Sequence, residues 1–301
     1  MTWDFERVAG PFALTEGPVW DGEAVLFADI PNDRIMRYHS SSGQCTECQT
    51  ATNHANGLML DRGGSLYACE EGARRVVRYN TDGSRTVLAD AFDGKRLNSP
   101  NDLAFDERGS LWFTDPRYGD KTDDLELDHQ SVYRLDPLPG DRSDGRSGGQ
   151  WAITRVTYDT SKPNGILISP DQRWLYVAQS EYGEGNPREL RAYPINDDRT
   201  VGAFHVLHNF YPHRGIDGMC LDVDGNIIAT AGWQRSGPGP MIYVFAPNGR
   251  VLETHPVPTD HPTNCTFGEA DLQTLFVTAG GSLYRAPTDR RGHSAYPALM
   301  L

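Results

Sequence analysis

Residues 100–119 read PNDLAFDERGSLWFTDPRYG. An Asn-Asp pair opens a short apolar run, Asp106 to Gly109 carry turn-forming residues, and a second apolar run ends on Asp115. Two short β-prone runs around such a loop predict a hairpin. The same order recurs in EGPVWDGEAVLFADI from Glu16, NGLMLDRGGSLYACE from Asn56, NGILISPDQRWLYVAQS from Asn164, DGMCLDVDGNIIATAG from Asp217 and NCTFGEADLQTLFVTAG from Asn264. With Asn101 included, the opening residues lie 40, 45, 63, 53 and 47 positions apart, close to the four-strand period of propeller blades.

Between the hairpins, RIMRYH, RVVRYN, SVYRLD, LRAYPI and MIYVFA alternate apolar and polar residues, and turns such as SSG, TDG and PNG follow several of them. These are the expected outer strands. Only SLYRAP follows the last hairpin, so WDFERVAG at the N-terminus is expected to supply the missing strand and close the ring. The reading is all-β: residues 1–301 as a single six-bladed β-propeller domain closed by the N-terminal strand. The longest interval holds two inserts, residues 117–130 and 137–150, the second rich in Gly, Ser and Asp and expected as a surface hairpin turn.

Composition narrows the partners. The net charge is −13, and no basic run exceeds the pairs Arg74-Arg75 and Arg290-Arg291, so nucleic acid is not expected. No apolar stretch is long enough to span a bilayer, and MTWDFERVAG lacks the features of a signal peptide, so a soluble cytoplasmic protein is expected. Five cysteines make no even framework. Cys69, Cys220 and Cys265 sit in apolar runs as expected buried thiols, whereas Cys45 and Cys48 form a lone CTEC pair. A structural role is favoured for that pair, and a reactive thiol pair stays open.

In a propeller the first strand of each blade lines the central channel, so the six opening residues converge. Glu16, Asn56, Asn101, Asn164, Asp217 and Asn264 give two carboxylates and four amides. Oxygen donors without His or Cys suit a hard divalent cation, calcium first, with magnesium, manganese or zinc as alternatives. Turn formation accounts for the Asn and Asp openings equally well, but Glu is not a turn former. Glu16 therefore weighs toward a metal site.

EGPVW with Glu16, SPNDLAFDERGSLWFTDPRYG with Asn101, KPNGILISPDQRWLYVAQS with Asn164 and GIDGMCLDVDGNIIATAG with Asp217 together resemble the senescence marker protein/gluconolactonase family, also called regucalcin-like or luciferin-regenerating-enzyme-like. The likeness spans nearly the whole chain and is nearest to the microbial gluconolactonase branch. It implies a propeller with one catalytic divalent metal at the top of its channel, held by Glu16, Asn164 and Asp217. Asn101 matches a position that ligates metal or touches substrate. Asn56 and Asn264 are not fixed by these motifs and are expected to face substrate or form turns.

The implied chemistry is hydrolysis of a small polar lactone such as an aldonolactone, with metal polarising the carbonyl and Asp217 as general base. His54, His213 and His261, near the channel mouth, are alternative bases. Arg117, Tyr118, Tyr182, Trp233 and Gln234 lie on loops expected on the same face and are candidate substrate contacts. Insert 117–130 reads either as a lid or as a solvated acidic loop. A phosphotriesterase like the squid-type fluorophosphatase, on the same site, and a non-catalytic calcium-binding propeller are the competing functions.

Overall fold

In the computed structural model, residues 3–119, 121–138 and 150–294 are described. Six four-stranded antiparallel sheets follow one another along the chain, each running from an inner to an outer strand. The inner strands are Thr15–Trp20, Ala55–Leu60, Leu103–Phe105, Pro163–Ile168, Ile216–Leu221 and Pro262–Gly268, and they define blades one to six. The expected all-β six-bladed propeller is the observed fold.

The closing strand is where the sequence placed it. Glu6–Ala9 pairs antiparallel with Ser282–Pro287, aligning Glu6 with Arg285 and Arg7 with Tyr284. Ahead of it, Trp3 stacks on His255 of blade five at 3.9 Å between ring centroids. The first and last residues of the fold thus share one sheet, which removes an open edge.

Among the described residues, six apolar clusters fill the seams between adjacent blades. Tyr67 of blade two packs with Phe105 and Tyr133 of blade three, and Phe27 of blade one packs with Phe276 and Leu283 of blade six. Each such buried side chain stabilises by roughly 1.5–3 kcal/mol, so the core is a ring rather than a centre. Turn chemistry fixes the hairpins at the far ends of the inner strands. Asp106 Oδ1 accepts from the N–H groups of Arg108 and Ser110, and Asp222 Oδ1 accepts from those of Asp224 and Asn226.

Insert 117–130 is tied down at several points. Asp124 takes both carboxylate oxygens to Arg117 Nη2 at 2.7 and 2.9 Å, Glu126 accepts from Arg96 N, and Leu127 joins the seam between blades two and three. Of the second insert, residues 139–149 lie outside the described residues. A two-stranded ribbon, Ala91–Phe92 with Lys95–Arg96, was not expected from the sequence.

All five cysteines are free. Cys45 packs in the seam between blades six and one, Cys48 in the seam between one and two, so the sheet separates the CTEC pair. Burial pushes both thiols up to about 11. This favours the structural role over a reactive pair.

Candidate functional site

Five of the six channel strands begin with broken ladders. Pairing with the second strand shifts register between Glu16 and Val19, Ala55 and Leu58, Pro163 and Ile166, Ile216 and Met219, and Pro262 and Asn264. A bulge bends a strand and re-aims its side chains. Glycine follows the opening residue in blades one, two, four and five, and a Cβ on Gly57 or Gly165 would stand 2.6 Å from Asn101 O or 2.5 Å from Asp217 O. Only a residue without a side chain lets neighbouring inner strands approach this closely.

Hydroxyl groups then stitch one blade to the next. Thr114 Oγ1 donates to Asn164 O at 2.8 Å, Ser180 Oγ to Ile216 O, Thr230 Oγ1 to Thr263 O at 2.8 Å, and Thr263 Oγ1 to Thr15 O at 2.7 Å. All four donors are buried. The opening residues are thereby held on a rigid backbone ring.

Glu16, Asn164, Asp217 and Asn264 meet at the channel mouth, and Asn56 and Asn101 stand at the heads of blades two and three, whose backbones are joined by Gly57 N donating to Asn101 O. Glu16, Asn56, Asn101, Asn164 and Asn264 are 5–7% exposed, and Asp217 is slightly more open. Asn164 hydrogen-bonds both Asp217 and the Tyr118 hydroxyl, the latter at 3.1 Å. Asn264 hydrogen-bonds Glu16 and Asp102. Asn56 Nδ2 donates to Glu71 Oε2 at 3.1 Å, and the Asn101 side-chain amide has no hydrogen-bond partner among the described residues, whereas its backbone N–H donates to Thr114 O at 2.9 Å.

Below them the channel encloses about 160 Å³ lined by Trp20, Met59, Phe105, Leu167 and Phe267, with Asp102 and Asn264 among the polar residues bounding it. This apolar floor makes charge expensive just above it. Burial, then the charges of Asp217 and Asp102, raise the Glu16 carboxyl well above its ordinary value. Burial lifts Asp102 to about 7, with Asp217 adding to the shift. Burial also raises Asp217, against the opposing pull of the Arg214 guanidinium, which touches Oδ2 at 2.5 Å.

Three crowded carboxyls with one buried arginine are a site short of positive charge. Among the described residues no three His, Cys, Asp or Glu side chains gather closely enough to hold a metal by themselves. A cation here would need the amide oxygens as well as Glu16 and Asp217. The donor chemistry, all oxygen, fits a hard divalent ion.

The remaining expected residues separate. Tyr118 belongs to the site through Asn164, and Tyr182 stacks on Trp233 at 5.7 Å, with His261 edge-on to Trp233 at 5.8 Å. Gln234 is tied by its N–H to Asp260. Arg117 spends its guanidinium on Asp124, Lys121 O and Asn98 O, and so serves the insert. His54 is bound through Nδ1 to Ile30 O, and His261 Nε2 lies 3.6 Å from Asp260. His213 Nδ1 is buried without a hydrogen-bond partner among the described residues, whereas its carbonyl accepts from Arg188.

Sequence reasoning missed Asp102, Glu71 and Arg214. Asp102 stands where four other repeats carry glycine, Gly17, Gly57, Gly165 and Gly218, and that break in register was the available signal. Arg214 and Glu71 sit in loops, where charge alone says little.

Comparison with known proteins agrees with this architecture. A gluconolactonase of Zymomonas mobilis is 32% identical over 95% of this chain and 82% of its own length. The 6-deoxy-6-sulfogluconolactonase of Pseudomonas putida is 27% identical over 90% of this chain and 85% of its own. Among solved structures, a Xanthomonas campestris gluconolactonase superposes with a TM-score of 0.79 at 32% identity, covering 95% of this chain and 89% of the other. Residues 14–281 match the SMP-30/Gluconolactonase/LRE-like region, and the chain belongs to that family.

Proposed function

We propose that this chain is a divalent-metal-dependent lactonase that opens a sugar lactone of the gluconolactone type. The observation that carries the reading is the convergence of Glu16, Asp102 and Asp217 in one apolar-floored mouth with Arg214 as the buried cation among them. The lactonases among its relatives support the substrate class. Glu16, Asn164 and Asp217 would hold the ion, with Asn101 completing the set, and calcium suits these donors best. Such an ion, when bound, polarises a carbonyl oxygen and makes water more acidic.

The chain's own residues do the rest. Asp217 acts as general base toward the attacking water, its Oδ2 held by Arg214. The Asn101 side-chain amide offers a hydrogen bond to the lactone oxygens, while the Tyr118 hydroxyl, which accepts from Asn164 and donates to Ser180 O at 3.3 Å, braces Asn164. The Tyr182–Trp233 pair gives the mouth an apolar wall against which a sugar ring's C–H face can lie. Attack on the carbonyl carbon breaks the ring C–O bond and yields a hydroxy acid.

Proton release from a panel of aldonolactones tests this. Protein stripped with chelator should be silent and regain turnover with calcium, magnesium, manganese or zinc added singly. Asp217→Asn, fully metallated, should lose at least about 100-fold in kcat. Turnover indifferent to stripping, or folded metal-loaded protein that is silent on lactones and active on phosphotriesters, would overturn the assignment.

A further inference from the structure

We infer that Arg214 is the positioning residue of the site: it holds Asp217 by one carboxylate oxygen, so that a bound cation meets this ligand through the other oxygen only. The inference rests on the metal-dependent reading above. Arg214 is 3% exposed and lies three residues before Asp217, in the loop leading into the inner strand of blade five. Nη2 donates to Asp217 Oδ2 at 2.5 Å, while Nη1 donates to Pro262 O at 2.9 Å and to Gly232 O at 3.2 Å. The Tyr182 hydroxyl is a further partner.

These contacts are of unequal kind. Pro262 opens the inner strand of blade six, two residues before Asn264, and Gly232 lies near the end of the second strand of blade five. Both carbonyls belong to the rigid ring, and Gly232 N donates back to Arg214 O at 3.1 Å. The guanidinium is planar with donors in fixed directions, so anchoring Nη1 on two backbone oxygens fixes where Nη2 points. Asp217 is thereby prevented from turning both oxygens toward the channel.

The consequence is chemical. Carboxylates bind hard cations through one oxygen or through two, and a two-oxygen ligand takes a place that water or substrate would fill. Holding Oδ2 away reserves that place. Lysine would keep the charge but lacks the fork that joins Asp217 to the backbone of blade six.

Terbium(III), a luminescent stand-in for calcium, reads this directly, since lifetimes in H2O and D2O count the waters on the ion. Wild-type protein should hold about one water more than Arg214→Ala, because freeing Oδ2 lets Asp217 displace it. With lactone, Arg214→Ala should lose about 100-fold in kcat with KM within about threefold, and added guanidinium should restore part of kcat. Arg214→Lys keeps a buried cation and should fold even if the alanine variant does not, yet lose at least about tenfold in kcat.

Equal water counts, or wild-type kcat in either variant, overturn the inference. So does a wild type that binds neither terbium nor calcium, and so does loss of kcat, ion affinity and melting temperature together without guanidinium rescue. A differing water count in protein silent on every lactone leaves Arg214 in its role and removes the lactonase reading alone.

Discussion

A Cβ placed on Gly218 would stand 2.0 Å from Cγ of Asn264. The two residues belong to neighbouring inner strands, and Asn264 in turn hydrogen-bonds Glu16 and Asp102. The missing side chain in blade five is therefore what lets an amide of blade six reach the acids. Gly218→Ala should push Asn264 out of the ring, cost about 1–3 kcal/mol of stability, and reduce turnover far more than the fold. Chemical denaturation beside steady-state assays checks this, and wild-type kcat in Gly218→Ala would refute the linkage.

Asp102 gives the metal-free protein a definite pH dependence. Its carboxyl is raised by burial, and further by Asp217, to about 7 in the folded state. A raised carboxyl costs nothing where both states are protonated, and the cost grows as pH climbs from the unfolded value to the folded one. Chelated protein should therefore melt at progressively lower temperature from about pH 4 to about pH 7, where the penalty is complete. Asp102→Asn should lessen that slope without abolishing it, since burial lifts Asp115 to about 7 as well, and calcium should raise the melting temperature more at neutral pH than at pH 5. Melting curves across that range decide it, and a chelated wild type that grows more stable toward neutrality contradicts the assignment.

Most of this architecture was legible because a propeller writes its period into the chain. Glu16, Asn56, Asn101, Asn164, Asp217 and Asn264 each open a hairpin, and a ring of equivalent strands makes equivalent positions meet. The closing strand was legible because SLYRAP lacked a partner. Arg214 was not, since it lies outside the repeated pattern and its role depends on the carbonyls of Pro262 and Gly232, whose positions only the closed ring fixes. Asp102 sits in the deciding motif beside Asn101, one position past the residue that the repeat aligns, so the period alone does not single it out. The ribbon at Ala91–Arg96 escaped because two-residue strands carry no periodicity. Arg117 looked like a substrate contact from its place after the second strand, and Asp124, seven residues on, is what it meets.

That pairing makes insert 117–130 testable as a clamped segment. Arg117 meets both oxygens of Asp124, and Arg74 Nη1 donates to the Asp124 carbonyl at 2.9 Å. Arg117→Ala should leave the global melting transition nearly unchanged while making the insert the first site cut in limited proteolysis. KM for lactone should rise if the segment borders the mouth, with kcat held within about threefold. Unaltered cleavage of the variant would show that other contacts, such as Glu126 with Arg96 N, suffice to hold it.

Ring closure by the N-terminal strand sets the last expectation. Glu6–Ala9 forms the outer strand of a sheet whose other three strands come from the C-terminal end of the fold, and Arg285 Nε reaches Glu6 at 2.9 Å across that pairing. The ion pair is exposed and contributes little, so the backbone ladder and the burial of Trp3 and Phe5 carry the closure. Removing residues 1–9 exposes the edge of Ser282–Pro287 and uncovers the seam between blades five and six that Trp3 and Phe5 help to fill. The truncated chain should melt at a markedly lower temperature, with a broader transition and a tendency to associate through the open edge. Glu6→Ala, which removes only the charge, should shift stability by less than about 1 kcal/mol. Calorimetry and light scattering on the two variants separate the effects, and a truncated protein that melts like the full chain would mean that blade six closes the ring without its fourth strand.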